Sequence, residues 1–360
     1  MTEKDKYDGI QANATSEDVI HMVDLIYGLK VLTVKRLNGY DDQNFHVTVD
    51  GNDKDNEYIS RINSSGYVFK VVNSLESLQD KEFKFAAIEL MNYVRSKGVV
   101  CPEVVQAKSG KLLTEHYLPA GNGGDTRMHL IQMAEYIEGE VAGQHIDKQF
   151  AYKGGVYLAE LHKHMEGFDN KNLHRDNFQW SLSSFSKVRD YTDVIQDLAK
   201  KKLALEVLDT WDSIEASFSS LPQGPIHADF NEQNILVKRS DESTDIIGVI
   251  DFQDSDFNCK VFDVSTYIMY MMAANKGDDA IEIGGYCLRG FMDNRELSQA
   301  ELDVVYYGVA ARFVMSLVLG LHYYNERKDP YLLLTQGGWV HLEKLWQIPS
   351  KELLRCWLSG

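Results

Sequence analysis

In the stretch IHADFNEQNILV, residues 226–237, His227, Asp229 and Asn234 are packed together just ahead of an apolar run. A second stretch, GVIDFQDS at 248–255, closes another apolar run with Asp251. If the two runs pair as a hairpin, Asn234 at the start of one strand and Asp251 at the end of the other come side by side. Asp and Asn oxygens suit Mg²⁺, a hard cation that usually takes one or two carboxylates plus substrate phosphates. Asp229 falls on the preceding loop, where a carboxylate can face a nucleophile. These are the parts that phosphoryl transfer to an alcohol needs: one Asp to orient the hydroxyl and accept its proton, and an Asn and a second Asp to hold the metal on the nucleotide. An ordinary Asp is a weak base toward an alcohol, so its contribution is mostly orientation. The H-x-D-x(4)-N spacing is that of a kinase catalytic loop, and IDFQD stands where those enzymes carry a metal-binding Asp-Phe-Gly. His227 is expected to brace the loop through hydrogen bonds rather than to touch substrate.

Such chemistry also needs a cation on the nucleotide phosphates, held by a helical glutamate. Lys70, in YVFKVV, has the strand setting for that cation; a solvated strand lysine is the competing reading. The following helix offers Glu82 and Glu89, seven apart and roughly on one face, and spacing leaves both open, with a lean to Glu82. The turn NGYDDQNF, 38–45, lies where backbone could cover phosphates through Gly39 and Asn44, though an Asx turn explains it equally.

The elements that must position these residues fall into two groups. Residues 16–28 read as an amphipathic helix capped by Ser16 and ended by Gly28, followed by short β-rich runs at 31–37, 44–50, 57–62 and 67–73. A helix at 81–97 follows, then strands near 103–107 and 111–116 paired across KSG. AGNGGD, 120–125, precedes a strand-like run rather than a helix and reads as a hairpin turn, not a phosphate loop. From about 147 the pattern is helical, at 148–165, 181–219, 258–275, 280–292, 298–324 and 330–346, interrupted by strands at 234–238 and 246–252. The expected fold class is α+β, with a flexible N-terminus over 1–15, a small antiparallel β lobe with one crossing helix over 16–136 and a larger helical lobe over 137–360.

Composition narrows the function classes. The 37 basic and 54 acidic residues leave a net charge of −17, which disfavours nucleic acid or an anionic membrane as partner and is compatible with a cationic substrate. No apolar stretch near the start resembles a secretory signal, and the longest apolar runs, 261–274 and 313–321, are short for a bilayer span and read as buried helices. The four cysteines are scattered, so reduced thiols and a cytoplasmic location are expected.

With GGVYLAELH at 154–162 and an all-helical end, these motifs resemble the aminoglycoside phosphotransferase and choline kinase group, which has a protein-kinase-like two-lobe fold. YDDQNFHV (40–47), LHRDNFQW (173–180), VFDVSTYIMYMM (261–272), GGYCLRGF (284–291) and GGWVHLEKLW (337–346) are similar to stretches of its hydroxylysine kinase branch. The resemblance covers about 16–350. It implies transfer of the γ-phosphoryl group of GTP, with Mg²⁺, to the 5-hydroxyl of 5-hydroxy-L-lysine in lysine and collagen breakdown. Asp229 would then be the base, Asn234 and Asp251 the metal ligands and Lys70 the phosphate ligand. The base would dock on hinge backbone near Met133 to Tyr136; residue identity does not choose GTP over ATP. A small cationic acceptor, with no protein partner implied, asks for acids near the transfer site, and Asp254, Asp256, Asp41 and Asp42 are candidates. Arg175 or Arg312 are candidates for the acceptor's carboxylate. Related acceptors such as homoserine, choline or an aminoglycoside need the same parts, and a non-catalytic nucleotide binder is the reading from another class.

Overall fold

The computed structural model describes residues 10–39, 42–120, 125–143, 146–240 and 243–359. The chain divides into two compact units, one comprising 1–92 and 101–138 and the other 93–100 and 139–360.

The first unit is built on a five-stranded antiparallel sheet. Helix α1 (Ser16–Met22) is capped by Thr15, one residue earlier than expected, in a reciprocal capping box with Asp18. A wider helical turn follows, and Gly28 at φ +61° ends it. Strands β1 (Leu29–Leu37), β2 (Gln43–Lys54) and β3 (Tyr67–Val71) form the first antiparallel ribbons. Helices α2 (Ser74–Gln79) and α3 (Lys81–Ser96) come next, then β4 (Thr114–Pro119) and β5 (Thr126–Glu135). The sheet order is β1-β2-β3-β5-β4. Its alternating apolar face, with Phe45, Val47, Phe69, Val71, Ile131 and Met133, packs with Val19, Met22 and Ile26 of the first helical segment into one core.

Several local expectations are corrected here. Residues 57–62 form a loop, not a strand, because flanking asparagines satisfy the backbone in place of a ladder. Asn56 Nδ2 donates to the carbonyls of Tyr27 and Gln106, and its Oδ1 accepts from Tyr58 N. Residues 103–107 contribute only a bridge from Val104 to Ala134, and the strand after KSG begins at Thr114. The hairpin tip at 121–124 lies outside the described residues, although β4 and β5 pair as far as Pro119 opposite Thr126. Residues 10–15 are docked rather than loose: Ile10, Ala12 and Ala14 are buried and Ala12 bridges to Ala120.

The second unit is mainly helical. Strand β6 (Glu140–Val141) leads into α4 (Lys148–Met165), then α5 (Leu198–Ile214), with 3-10 turns over Leu182–Val194 in place of a helix beginning at 181. Strands β7 (Gln223–Ile226), β8 (Ile235–Arg239), β9 (Thr244–Val249) and β10 (Asp256–Cys259) follow. β8 and β9 pair antiparallel with Ile235 opposite Val249, the hairpin expected from the two apolar runs. Helices α6 (Lys260–Ala274), α7 (Ala280–Met292), α8 (Gln299–Arg327), α9 (Trp339–Trp346) and α10 (Ser350–Ser359) complete the unit. The apolar window of α8 is long enough to span a bilayer, but 89% of it is buried inside the protein.

Candidate active site

The loop between β7 and β8 is built around a buried anion. Asp263, on α6, accepts from the backbone N–H of His227 (2.9 Å) and of Ala228 (2.8 Å). It also accepts from His162 Nε2 at 2.9 Å. Burial alone would raise its pKa, but the His162 and His227 interactions outweigh burial and hold the carboxyl below its ordinary value. Arg295 Nη1 donates to His162 Nδ1 at 2.7 Å. Burial pushes both His162 and His227 down, so both rings are neutral. Each is then an Nε2–H tautomer, His162 donating to Asp263 and His227 donating to the Ile250 carbonyl at 3.0 Å. His227 is fully buried and its Nδ1 accepts from Asp229 N at 3.3 Å, so it braces the loop against the segment that ends in Asp251. Ala228 takes φ +64°, a strained conformation that the two hydrogen bonds to Asp263 retain.

This anchoring presents Asp229. Asn234 Nδ2 donates to its Oδ2 and to its carbonyl, each at 2.9 Å, and Arg312 Nη2 lies 3.3 Å from its Oδ1. Burial, and then the charge of Asp254, hold the Asp229 carboxyl well above its ordinary value, with Arg312 pulling it back. Both amide hydrogens of Asn234 face Asp229, which leaves the amide oxygen for another partner. The β8–β9 pairing continues through the Ile250 N–H to the Asn234 carbonyl (2.9 Å), so Asn234 and Asp251 sit at neighbouring strand ends. Asp251 is exposed at φ +62° and accepts weakly from Gln253 N at 3.3 Å. Among the described residues no group of three His, Cys, Asp or Glu side chains gathers into a metal cage. A hard cation here would have an amide oxygen and a carboxylate from the protein, the donor set of a Mg²⁺ site completed by phosphates and water.

In the first unit, Lys70 is the register partner of Asn44 across β2 and β3. Its Nζ lies 3.4 Å from Asp42 Oδ2, while Asp42 Oδ1 accepts from Asn73 N at 2.9 Å. Asp42, expected near substrate, thus faces the lysine instead. Glu82 and Glu89 are both exposed on α3. Asp42, just before β2, is an acid beside the lysine that helix spacing could not reveal. Asn44 Nδ2 donates to Asn38 O at 3.1 Å, and a Cβ on Gly39 would stand 2.5 Å from Asp42 O. Gly39, Asp42, Asn44 and Lys70 therefore form one cluster. At the end of β5, Glu135 N donates to Glu103 O (2.8 Å) and Tyr136 N to Gly66 O (3.0 Å), so those two donors are committed within the fold. Met133 is a core side chain whose carbonyl accepts from Val105 N.

The remaining candidates separate clearly. Asp256 is a structural residue: it is buried and accepts from Ser181 Oγ and Asn258 Nδ2, each at 2.8 Å. Arg175 stacks 3.4 Å over the Phe178 ring and donates to Gln253 O, bracing the segment after Asp251. Arg312 is buried against protein groups rather than aimed at solvent. Asp254 acts on the charge of Asp229. Asp41 lies outside the described residues. Asp263 and His162 were not singled out from sequence; the available signal was a lone carboxylate inside the apolar run VFDVSTYIMYMM, since a fully buried charge must be paired.

The sequence pattern of the phosphotransferase enzyme family matches residues 33–296. The chain belongs to that family. This phosphotransferase is 26% identical to the hydroxylysine kinase of Bos taurus, over 99% of this chain and 94% of the relative. It is 28% identical to that of Danio rerio, over 97% and 96%. A solved structure of an amicoumacin kinase in complex with AMP-PNP, Ca²⁺ and its ligand shares the fold, with a TM-score of 0.66 at 14% identity, covering 98% of this chain and 100% of the other. The fold is thus the α+β, kinase-like one expected, with an antiparallel sheet in one unit and helices in the other.

Proposed function

We propose that this phosphotransferase moves the γ-phosphoryl group of GTP, with Mg²⁺, to the 5-hydroxyl of 5-hydroxy-L-lysine, in the breakdown of lysine and hydroxylysine in the cytoplasm. The observation that carries the substrate is the similarity to hydroxylysine kinases along nearly the whole of both chains. The local geometry supports the chemistry. Asp229 orients the acceptor hydroxyl and takes its proton as the oxygen bonds to phosphorus and the bond from phosphorus to the nucleoside diphosphate breaks. Asn234, through its amide oxygen, and Asp251 would hold the metal. Mg²⁺, when bound, neutralises charge developing on the phosphates. Lys70, with Asp42 beside it, binds phosphate. An acceptor with two ammonium groups suits a site where Asp254 lies close enough to raise the Asp229 carboxyl.

The test is release of nucleoside diphosphate from purified protein with Mg²⁺, crossing GTP and ATP against 5-hydroxylysine, lysine, homoserine, choline and an aminoglycoside. Turnover with 5-hydroxylysine and none with lysine, which lacks the accepting hydroxyl, is the expected result. Turnover only with another alcohol keeps the chemistry and overturns the substrate. Faster turnover with ATP than with GTP overturns the donor alone.

A further inference from the structure

The side chain of Arg312 is 2% exposed and projects from α8 to Asp229, which lies far from it in sequence. Its guanidinium is fixed by groups that take no part in the reaction. Nη1 donates to the Trp180 carbonyl at 2.6 Å, and Nη2 donates to the Tyr270 hydroxyl at 3.1 Å. The Trp180 and Tyr270 rings stand 5.8 and 5.3 Å from its central carbon. A guanidinium is planar, so two anchored ends determine where the second Nη2 hydrogen points. That direction is toward Asp229 Oδ1, at 3.3 Å, while Oδ2 is held at 2.9 Å by Asn234. The two carboxylate oxygens are therefore held by different parts of the fold, one by the loop that carries Asp229 and one by a buried helix outside it.

We propose that Arg312 is a positioning residue that fixes the plane of the Asp229 carboxylate toward the acceptor hydroxyl, rather than a ligand of the acceptor's carboxylate. The inference rests on Asp229 being the base proposed above. Free rotation of that carboxylate would misdirect its lone pairs, and misplacement of a reacting group by about 1 Å costs on the order of 100-fold in rate. The same contact assigns a role to the LHRDNFQW segment, whose last residue supplies the carbonyl that anchors the guanidinium.

The experiment measures kcat and both KM values for full-length Arg312→Met and Arg312→Lys, with the donor and acceptor that turn over in the panel above, alone and combined with Asp229→Asn. The expected result for Arg312→Met is a fall in kcat of about 100-fold with both KM values changed by less than about threefold. Arg312→Lys recovers part of the loss, and Arg312→Met adds little to Asp229→Asn. A raised acceptor KM at unchanged kcat overturns the proposal in favour of a substrate ligand. An equal fractional loss in the Asp229→Asn background overturns it in favour of general support of the fold. Should Arg312→Met fail to fold, Tyr270→Phe decides: it keeps the guanidinium but frees one anchor. A severalfold lower kcat at constant KM supports the proposal, and unchanged kcat overturns it. Full turnover by Asp229→Asn overturns the base assignment and this inference together, whereas an inactive Asp229→Asn beside a normal Arg312→Met overturns this inference alone.

Discussion

Asn234 Nδ2 donates to both the carbonyl and the Oδ2 of Asp229, each at 2.9 Å, so one amide group closes the loop between the candidate base and the candidate metal ligand. The pair cannot be perturbed at one end only. Asn234→Ala removes the donor from a largely buried carboxylate and the oxygen from the cation's donor set at once. Stability should fall by about 1–3 kcal/mol, and the Mg²⁺ concentration giving half-maximal turnover should rise. Melting curves and a Mg²⁺ titration check both, and an unaltered Mg²⁺ requirement would remove Asn234 from the donor set.

Asp263 carries the loop from below. It satisfies the N–H groups of His227 and Ala228 and the Nε2–H of His162, all buried. Asp263→Ala leaves these donors without acceptors and releases the strained Ala228 backbone. A loss of at least about 3 kcal/mol is expected, since each buried donor left unsatisfied costs about 1–3 kcal/mol. Denaturant unfolding measures it; a change below 1 kcal/mol would mean that the loop holds its shape without the anion.

Gly39 packs so tightly in the first unit that a Cβ there would meet Asp42 O at 2.5 Å and Asn44 Nδ2 at 2.7 Å. Gly39→Ala must displace Asp42, whose carboxylate lies against Lys70. Its nucleotide KM should rise at least about fivefold, the lower end of the roughly 1–3 kcal/mol that overpacking costs. Lys70→Met should raise the same KM at least as much. A normal nucleotide KM in both variants would take the Gly39–Lys70 cluster out of nucleotide binding.

Much of this was legible in the sequence because it is local. The spacing from Asp229 to Asn234 and the apolar runs at 234–238 and 246–252 fix a loop and a hairpin by themselves, and Ile235 does pair with Val249. Gly28 ended its helix as read because a left-handed residue is required there. Asp263 and Arg312 reach Asp229's loop only through packing of α6 and α8, which no local spacing encodes. Helix periodicity put Glu82 and Glu89 on one face but could not tell that both side chains are exposed, nor that Asp42 would lie beside Lys70. At 57–62 the apolar residues suggested a strand, yet Asn56 offered the backbone better partners than a neighbouring strand did.

His162 gives a pH signature that can be isolated. Its ring is fully buried, both nitrogens are engaged, and burial holds its pKa below the ordinary value of about 6.5, so the folded protein keeps it neutral. The unfolded chain takes up a proton near pH 6.5 that the fold refuses. Stability therefore falls as pH drops below about 6.5, and levels off only below the folded-state value. Asp263 does not contribute in this window: its carboxyl is lowered in the fold and ionised in both states above about pH 5, so its stabilisation is lost only in stronger acid. His227 is lowered as well and adds to the wild-type slope, so the informative quantity is the difference between wild type and His162→Gln. Unfolding free energies between pH 5 and 8 should fall more steeply on acidification in the wild type, by up to about 1.4 kcal/mol per pH unit for the one proton involved. Parallel curves would mean that His162 takes up its proton in the fold as readily as in the unfolded chain, so that burial and the Arg295 contact at Nδ1 do not keep it neutral.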